Sequence, residues 1–348
     1  MAANPKPVDP VSVFNKAEQL LQHHRDEEAF GLYFELRQSG RMAPLAYYRM
    51  GQILNRKQQV DEALDCHRSA FESDSLLARG IVENDHPCYD YKYGFVEQTH
   101  VTQCPICGED GTKHSCYNAI TNPQFTRGFD PIRLWMYCDS CHHIFAANYP
   151  TDLGGVLRST VHDSHLCPNP SIFPALGAIL RNIRLVAPGN RLLEIGVGAG
   201  EMAAVAKEFL FDVTGIDIRP AYAEAASKML DIPIHAADFR DFESDQQFDV
   251  ICLGDVIEHT TEPVRMLLKI VSMLSPKGVL WLSTPNFESA FSRVMQQNDP
   301  LWQACEHLNY FCYRSLQSIL QSMGMTVIDY AISAHCRGAM EMTSVKRA

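Results

Sequence analysis

The sequence predicts an α/β protein: a doubly wound, mostly parallel sheet in the C-terminal half, preceded by an all-α repeat region and a small metal-binding domain. Three observations predict it. Strand-like and helix-like segments alternate from Arg191 onward, the N-terminal region matches itself at a shift of 34 residues, and two C-x-x-C pairs lie in the middle of the chain. Such alternation calls for parallel strands with helices on both faces. A 34-residue period is that of stacked helical hairpins. Paired C-x-x-C motifs in a chain with reduced thiols read as metal ligands.

The chain has 348 residues, 46% apolar and 20% charged, with a formal net charge of −11. That composition supports a buried core, and the length fits two or three domains. Its negative sign repels phosphate backbones, which argues against a nucleic-acid substrate. The segment Met1 to Pro10 lacks the charged and apolar parts of a secretory signal, and no stretch of uninterrupted apolar residues is long enough to span a membrane. The expectation is a cytoplasmic protein.

The first region, 10–80, carries the repeat. At a shift of 34, Phe14 falls on Tyr48, Ala17 on Gly51, Leu20 on Leu54, Glu28 on Glu62, Ala29 on Ala63 and Leu36 on Ala70. The second copy resembles a tetratricopeptide hairpin, with Gly51, Ala63 and Ala70 where two helices must approach. Two hairpins are few for independent stability, so they should pack on the rest of the chain or on a protein partner.

The second region, 86–150, reads as irregular and holds the cysteines. Cys104-Pro-Ile-Cys107-Gly and Cys138-Asp-Ser-Cys141 are separated by 30 residues. Each pair puts two thiolates on one tight turn, and two such turns together form a closed tetrahedral site, the structural zinc arrangement. The long separation implies a loop or small insertion. His114, Cys116, His142 and His143 are nearby alternatives for one ligand. A bridging segment, 151–190, follows, broken by Pro168, Pro170 and Pro174, with a helix from about Ile172 to Val186.

The third region, 191–348, holds strands in RLLEIGV, DVTGIDI, IPIHAAD, FDVICLGD, GVLWLSTP and MTVIDYAIS. Helices lie in EMAAVAKEF, AYAEAASKM and EPVRMLLKIVSML, a last helix runs from Tyr313 to Gly324, and a final strand spans Gly338 to Val345. The first strand enters a loop that reads E-x-G-x-G-x-G: Glu194, Gly196, Gly198 and Gly200. Glycines let backbone turn sharply beside a ligand, and the next helix aims free N–H groups at it. Glu201 stands where the dinucleotide pattern G-x-G-x-x-G needs glycine. The acidic Glu194 suits a ligand with a cationic amino group and suits a pyrophosphate badly. Asp217, 17 residues beyond Gly200, ends the second strand, where a carboxylate can accept both ribose hydroxyls. Asp238 and Phe239 end the third strand, and Asp255 follows the fourth.

With LLEIGVGAG, GIDI, AADF and FDVICLGDVIEH in order, residues 191 to 345 resemble the class I S-adenosylmethionine (SAM)-dependent methyltransferases. The resemblance implies a Rossmann-like seven-stranded sheet with its last strand antiparallel. It also implies SAM contacts at Glu194, Gly196, Gly198, Gly200, Asp217, Asp238 and Phe239, with Asp255 beside them. The two cysteine knuckles, LWMYCDSCHHIF, STPN and EHLNYF resemble a subgroup with an N-terminal zinc ribbon that methylates sugars, glycans or natural products.

Methyl transfer asks an enzyme to align a nucleophile and remove its proton. The candidates lie after the fourth and fifth strands: Asp255, Glu258, His259 and Asn286, then Trp302, Glu306, His307 and Tyr310 in the long connection to Cys312. Glu306 with His307 is the first choice for the acid/base pair and His259 the second. His162, Asp163, His165, Tyr91 and Tyr93 are weaker candidates. The expected activity is O- or C-methylation of a small polar substrate, a sugar, sugar nucleotide or glycan. The alternatives are a natural product on a carrier, and a non-catalytic adaptor in which the helical repeats recruit a partner.

Overall fold

The structure is a computed structural model that describes residues 9–94, 96–162 and 166–347. The N-terminal reading of Met1 to Pro10 and the candidates Asp163 and His165 therefore lie largely or wholly outside the described residues.

Four helices open the chain: α1 (Pro10–Gln22), α2 (Asp26–Leu36), α3 (Ala43–Arg56) and α4 (Val60–Ser73). α1 packs on α2, α2 on α3 and α3 on α4, in two hairpins whose second helices both begin 34 residues apart. Small residues set the approach. Ala17, Ala29, Ala63 and Ala70 are fully buried, and a Cβ on Gly51 would lie 2.6 Å from the His67 ring across the second hairpin. Of the two expected docking sites for these helices, the structure uses the chain itself: α3 and α4 lie against the middle domain.

That domain is more regular than its sequence suggests. It holds β1 (Gln98–His100), β2 (Thr112–Asn118), β3 (Ile132–Cys138), β4 (His143–Ala146) and β5 (Asn148–Pro150). β2, β3 and β4 form an antiparallel sheet, so the insertion between the cysteine pairs is largely a hairpin. Two-residue alternation is absent because both faces are covered: in β3, Ile132, Arg133, Trp135, Met136 and Cys138 are all buried. A strand buried on both sides loses its polar face and with it its sequence signature.

Next come α5 (Leu153–Ser159), α6 (Phe173–Val186), β6 (Arg191–Ile195), α7 (Glu201–Glu208), β7 (Asp212–Asp217), α8 (Pro220–Leu230), β8 (Ile234–Ala236), β9 (Phe248–Gly254), α9 (Pro263–Met273), β10 (Leu274–Pro285), α10 (Ala290–Met295), β11 (Asn309–Tyr310), α11 (Tyr313–Ser322), β12 (Met325–Ile332) and β13 (Ala339–Lys346). Seven strands form one sheet in the order β12-β13-β10-β9-β6-β7-β8. β8, β7, β6, β9 and β10 are parallel, and β13 runs antiparallel to both β10 and β12. α6, read from sequence as bridge, packs into this unit, with Leu176, Leu180 and Ile183 in one apolar cluster with Leu192, Met202 and Trp281. β11 leaves the large sheet and pairs antiparallel with β4, so the connection after β10 completes the middle domain's sheet.

Candidate active site and metal centre

The chain order reverses direction at β6, which has β7 on one side and β9 on the other, and a cleft opens beyond their carboxyl ends. Its volume is about 410 Å³, within the range of small-molecule sites. The glycine loop forms its floor. Gly196, Gly198 and Gly200 take φ of +79°, +53° and +88°, the left-handed region that side chains avoid. A Cβ on Gly200 would lie 2.9 Å from Leu230 Cδ1 and 3.3 Å from Ala226 Cβ, so the loop also packs too closely for a side chain.

Asp217 braces that loop. Its Oδ2 accepts from Gly198 N at 2.9 Å and its Oδ1 from Arg219 N at 2.8 Å. A carboxylate has about four acceptor sites, so ribose hydroxyls can share it with these amides. Glu194 is 5% exposed and lines the cleft, yet its Oε2 has no hydrogen-bond partner. Burial, with Glu201 and Asp217 nearby, pushes its carboxyl well up. An orphaned buried acceptor at this point is the observation that fits a cationic ammonium from a ligand. At the far end Phe239 is 6% exposed and lines the cleft beside Asp238. Burial raises the pKa of Asp238, but Arg240, 2.7 Å away, outweighs it and holds the carboxylate low.

The roof comes from elsewhere in the chain. Leu153 and Leu157 of α5 and Ile172 and Leu176 around α6 supply apolar cover, and Glu306 closes one side. Glu306 is tightly engaged: Oε2 accepts from Arg219 Nη2 at 2.7 Å and Oε1 from Thr126 Oγ1 at 2.6 Å, with His162 Nε2 at 3.4 Å. Burial raises its pKa, but His162, Arg219 and His259 together win and hold it far below the usual carboxylate range. A carboxylate so held is a poor proton acceptor.

His259 lines the cleft, and its Nδ1 lies 2.9 Å from the Glu306 carbonyl. That contact makes Nδ1 the donor and leaves Nε2 as an acceptor. Burial lowers its pKa, so the ring is neutral near pH 7. His307, the first choice from sequence, does not line the cleft. It faces Tyr310, with Nδ1 3.1 Å from the hydroxyl, and its ring centroid is 4.9 Å from that of His259. Glu258 is fully buried, accepts from Thr284 Oγ1 at 2.9 Å, and comes within 4.8 Å of donor atoms on His259 and His307. Asn286 and Tyr310 are buried. Trp302 packs on Tyr117 and Trp135, while Tyr91 and Tyr93 belong to the N-terminal core.

The sequence reading passed over Arg219 and His335, which both line the cleft. Arg219 lies two residues beyond Asp217, but its partner Glu306 is 87 residues away in the chain. His335 sits in a hairpin turn with no motif around it.

The four cysteine sulfurs converge. Cys104 Sγ lies 3.4 Å from Cys141 Sγ and Cys107 Sγ 3.4 Å from Cys138 Sγ, with all four within 4.8 Å of one another. Thiolates about 2.3 Å from a tetrahedral zinc are about 3.8 Å apart, so this donor set fits that ion. His114, Cys116, His142 and His143 stand outside it. His143 instead meets Asn309 Oδ1 at 3.0 Å.

Residues 175–330 match the family model described as "Methyltransferase domain". Among curated proteins, the ubiquinone biosynthesis O-methyltransferase of Xanthomonas campestris pv. campestris (strain B100) is 28% identical over 110 residues, covering 30% of this chain and 46% of that protein. The enzyme of the same name from Rickettsia bellii (strain OSU 85-389) is 31% identical over 100 residues, covering 27% and 42%. The chain thus spans under half the length of these relatives. Among solved structures, the magnesium protoporphyrin IX methyltransferase from Synechocystis PCC 6803 with bound SAM aligns at TM-score 0.45 and 14% identity, covering 57% of this chain and 99% of that one. The plantazolicin methyltransferase BpumL with SAH aligns at TM-score 0.43 and 14% identity, covering 51% and 84%. The family match, the sheet order and the glycine loop agree on one class: residues 175–330 are similar to a methyltransferase domain. The matched residues begin within α6.

Proposed function

We propose that the chain transfers the methyl group of SAM to a hydroxyl or carbon of a small polar acceptor such as a sugar, sugar nucleotide or glycan. The observation that carries this is Glu194, whose orphaned oxygen awaits an ammonium beneath a glycine loop braced by Asp217. SAM supplies an electrophilic methyl on a sulfonium. The protein's part is to hold the cofactor, exclude water and take the acceptor's proton. His259 suits the last task better than His307, because it lines the cleft with a neutral ring whose Nδ1 is engaged by the Glu306 carbonyl, which leaves Nε2 as the acceptor. Glu306 fixes His259 through its own backbone carbonyl. The name of the curated relatives favours transfer to oxygen and makes ubiquinone precursors a second acceptor class. We assign the four cysteines a closed, structural zinc.

The test is to incubate the full chain with deuteromethyl SAM and a panel of sugars, sugar nucleotides, glycans and ubiquinone precursors, and to look for a labelled-methyl mass gain. With the acceptor so found, His259→Ala should lower kcat by about 10²–10⁴ while SAM affinity stays within about twofold. No mass gain from any acceptor, together with no SAM binding in calorimetry, would favour the adaptor reading instead.

A further inference from the structure

One wall of the cleft is not explained by cofactor binding. His335 lies in the turn between β12 and β13, and its ring lines the cavity with Asp255 and Trp281. The turn is built to hold it there. Ser333 Oγ accepts from the backbone N–H groups of His335 and Cys336, at 3.3 and 3.1 Å. Gly338 takes φ +80°, and its carbonyl accepts from Asn286 N at 2.9 Å, just beyond the end of β10. The imidazole is 12% exposed. Its Nδ1 lies 2.9 Å from Ser333 Oγ and 3.2 Å from Glu341 Oε1, while Nε2 lies 3.3 Å from Ser283 Oγ and 3.5 Å from Asp255 Oδ2.

The ring's hydrogen bonds run to the Ser333 and Ser283 hydroxyls, and a carboxylate oxygen lies within 3.5 Å of each nitrogen; Glu341 Oε1 makes no hydrogen bond, so its contact with the ring is one of charge, which favours the protonated form. Glu341, on β13, is 7% exposed, and a carboxylate that deep needs a cation beside it. Burial opposes the charge on His335, but Asp255 and Glu341 outweigh it and push the pKa up to about 9. Two other titratable groups face this cluster. Glu258, beside Asp255, and Cys336, on the same turn, are both driven up by burial, which favours their neutral forms. β10 contributes only the neutral Ser283 and Trp281.

Asp255 is the residue this arrangement acts on. It directly follows β9 with φ +51°, an uncommon backbone for a side-chain-bearing residue and one that recurs at functional sites. Its N–H donates to the Ser283 carbonyl at 3.0 Å, and its Oδ1 accepts from Ser283 Oγ at 2.9 Å. Among the described residues its second oxygen faces His335 Nε2, 3.5 Å away. The carboxylate therefore faces the cavity at the end of β9, where ligands meet in sheets of this type. We propose that His335, backed by Glu341, is a positioning residue that aims the Asp255 carboxylate at the methyl-transfer end of the cleft. There an ionised oxygen accepts a hydrogen bond from a second hydroxyl of the polar acceptor and so turns the reacting oxygen, whose own proton goes to His259, toward the methyl group. This assignment rests on the SAM reading above.

Two measurements on the full chain test it. In protein labelled with ¹⁵N-histidine, the His335 ring should remain protonated on both nitrogens above about pH 8, and Glu341→Gln should cut its proton affinity at least about tenfold. A midpoint near the ordinary 6.5, unmoved by Glu341→Gln, overturns the pairing. With [methyl-¹³C]SAM bound, His335→Gln should shift the methyl resonance while SAM affinity stays within about twofold. An unmoved resonance overturns the aim, because a role confined to folding would not change the field at the methyl carbon. If His335→Gln fails to fold, Glu341→Gln serves for the same reading and should also shift the signal. A wild-type chain that binds no SAM sinks the cofactor reading and the aim with it, whereas the imidazole titration decides the pairing independently.

Discussion

At the scale of single residues, the most exacting contact is the ion pair between Arg219 and Glu306, whose side chains are each 13% exposed. Removing one member of a buried pair leaves the other charge uncompensated, typically at about 3–5 kcal/mol. Glu306→Gln should therefore destabilise the chain by about that much in urea denaturation. A loss indistinguishable from zero would mean that water enters the pair. The same residue makes stability depend on acid. Its pKa is held below the ordinary 4.5, so its contribution is complete above that value and is lost as pH falls beneath it. His67 adds to this from the helical region. It is buried without a hydrogen-bond partner, and burial lowers its pKa from 6.5 to about 4. The folded state keeps this ring neutral while the unfolded state protonates, so about 3 kcal/mol should drain away between pH 6.5 and 4. His67→Gln should flatten that part of the pH–stability curve. Glu194, the glycine loop and Asp217, which line the cleft, were legible in the sequence because they lie at strand ends, at spacings the chain itself sets. His335, Arg219 and Thr126 were not, because each acts on a partner brought in by tertiary folding.

At the scale of elements, the middle domain holds one wall of the cleft in place. Arg133 Nη2 on β3 donates to the His307 carbonyl at 2.8 Å, and Trp135 Nε1 donates to the Trp302 carbonyl at 3.0 Å. β4 pairs with β11, and Thr126 fixes Glu306. The second cysteine pair spans the turn from β3 into β4, with Cys138 at the end of one and Cys141 just before the other. A metal held there would fix the hairpin that carries the wall. Cys104→Ser combined with Cys138→Ser should thus abolish the about one zinc per chain expected from elemental analysis. It should also speed amide exchange at Asn309 and Tyr310 while leaving β6 and β9 protected. Unchanged exchange at β11 would separate the cysteine site from the cleft. From sequence, the cysteine spacing pointed to the four sulfurs that converge here, but this wall was hidden. Its strands are buried on both faces, and one of them, β11, is two residues long and far removed in the chain.

At the scale of the molecule, the regional boundaries read from sequence do not match the cores. One apolar cluster joins Ala17, Tyr33, Ile53 and Phe71 of the helices to Ile120, Trp135 and Ile144 of the middle domain and to Trp302 and Tyr310 of the connection after β10. The seams are specific as well as apolar: Asn55 Oδ1 accepts from Cys116 N at 2.8 Å, and Phe71 stacks on Tyr93 with ring centroids 4.3 Å apart. The large sheet has its own clusters, built around Leu193 and Leu280 on one side and Leu192 and Trp281 on the other. The longest N-terminal helices have 14 residues, and isolated helices of that length are marginal in water. The helices and the middle domain should accordingly unfold together. Deleting residues 10–80 uncovers β2 and β3, so Trp135 and Trp302 should become exposed to quenchers while Trp281, inside the sheet domain, stays protected. The glycine loop and Asp217 lie outside the shared core, so calorimetry should still detect SAM binding by the deleted chain. A truncated protein whose Trp135 and Trp302 emission matches that of the full chain would show that the middle domain stands without the helices.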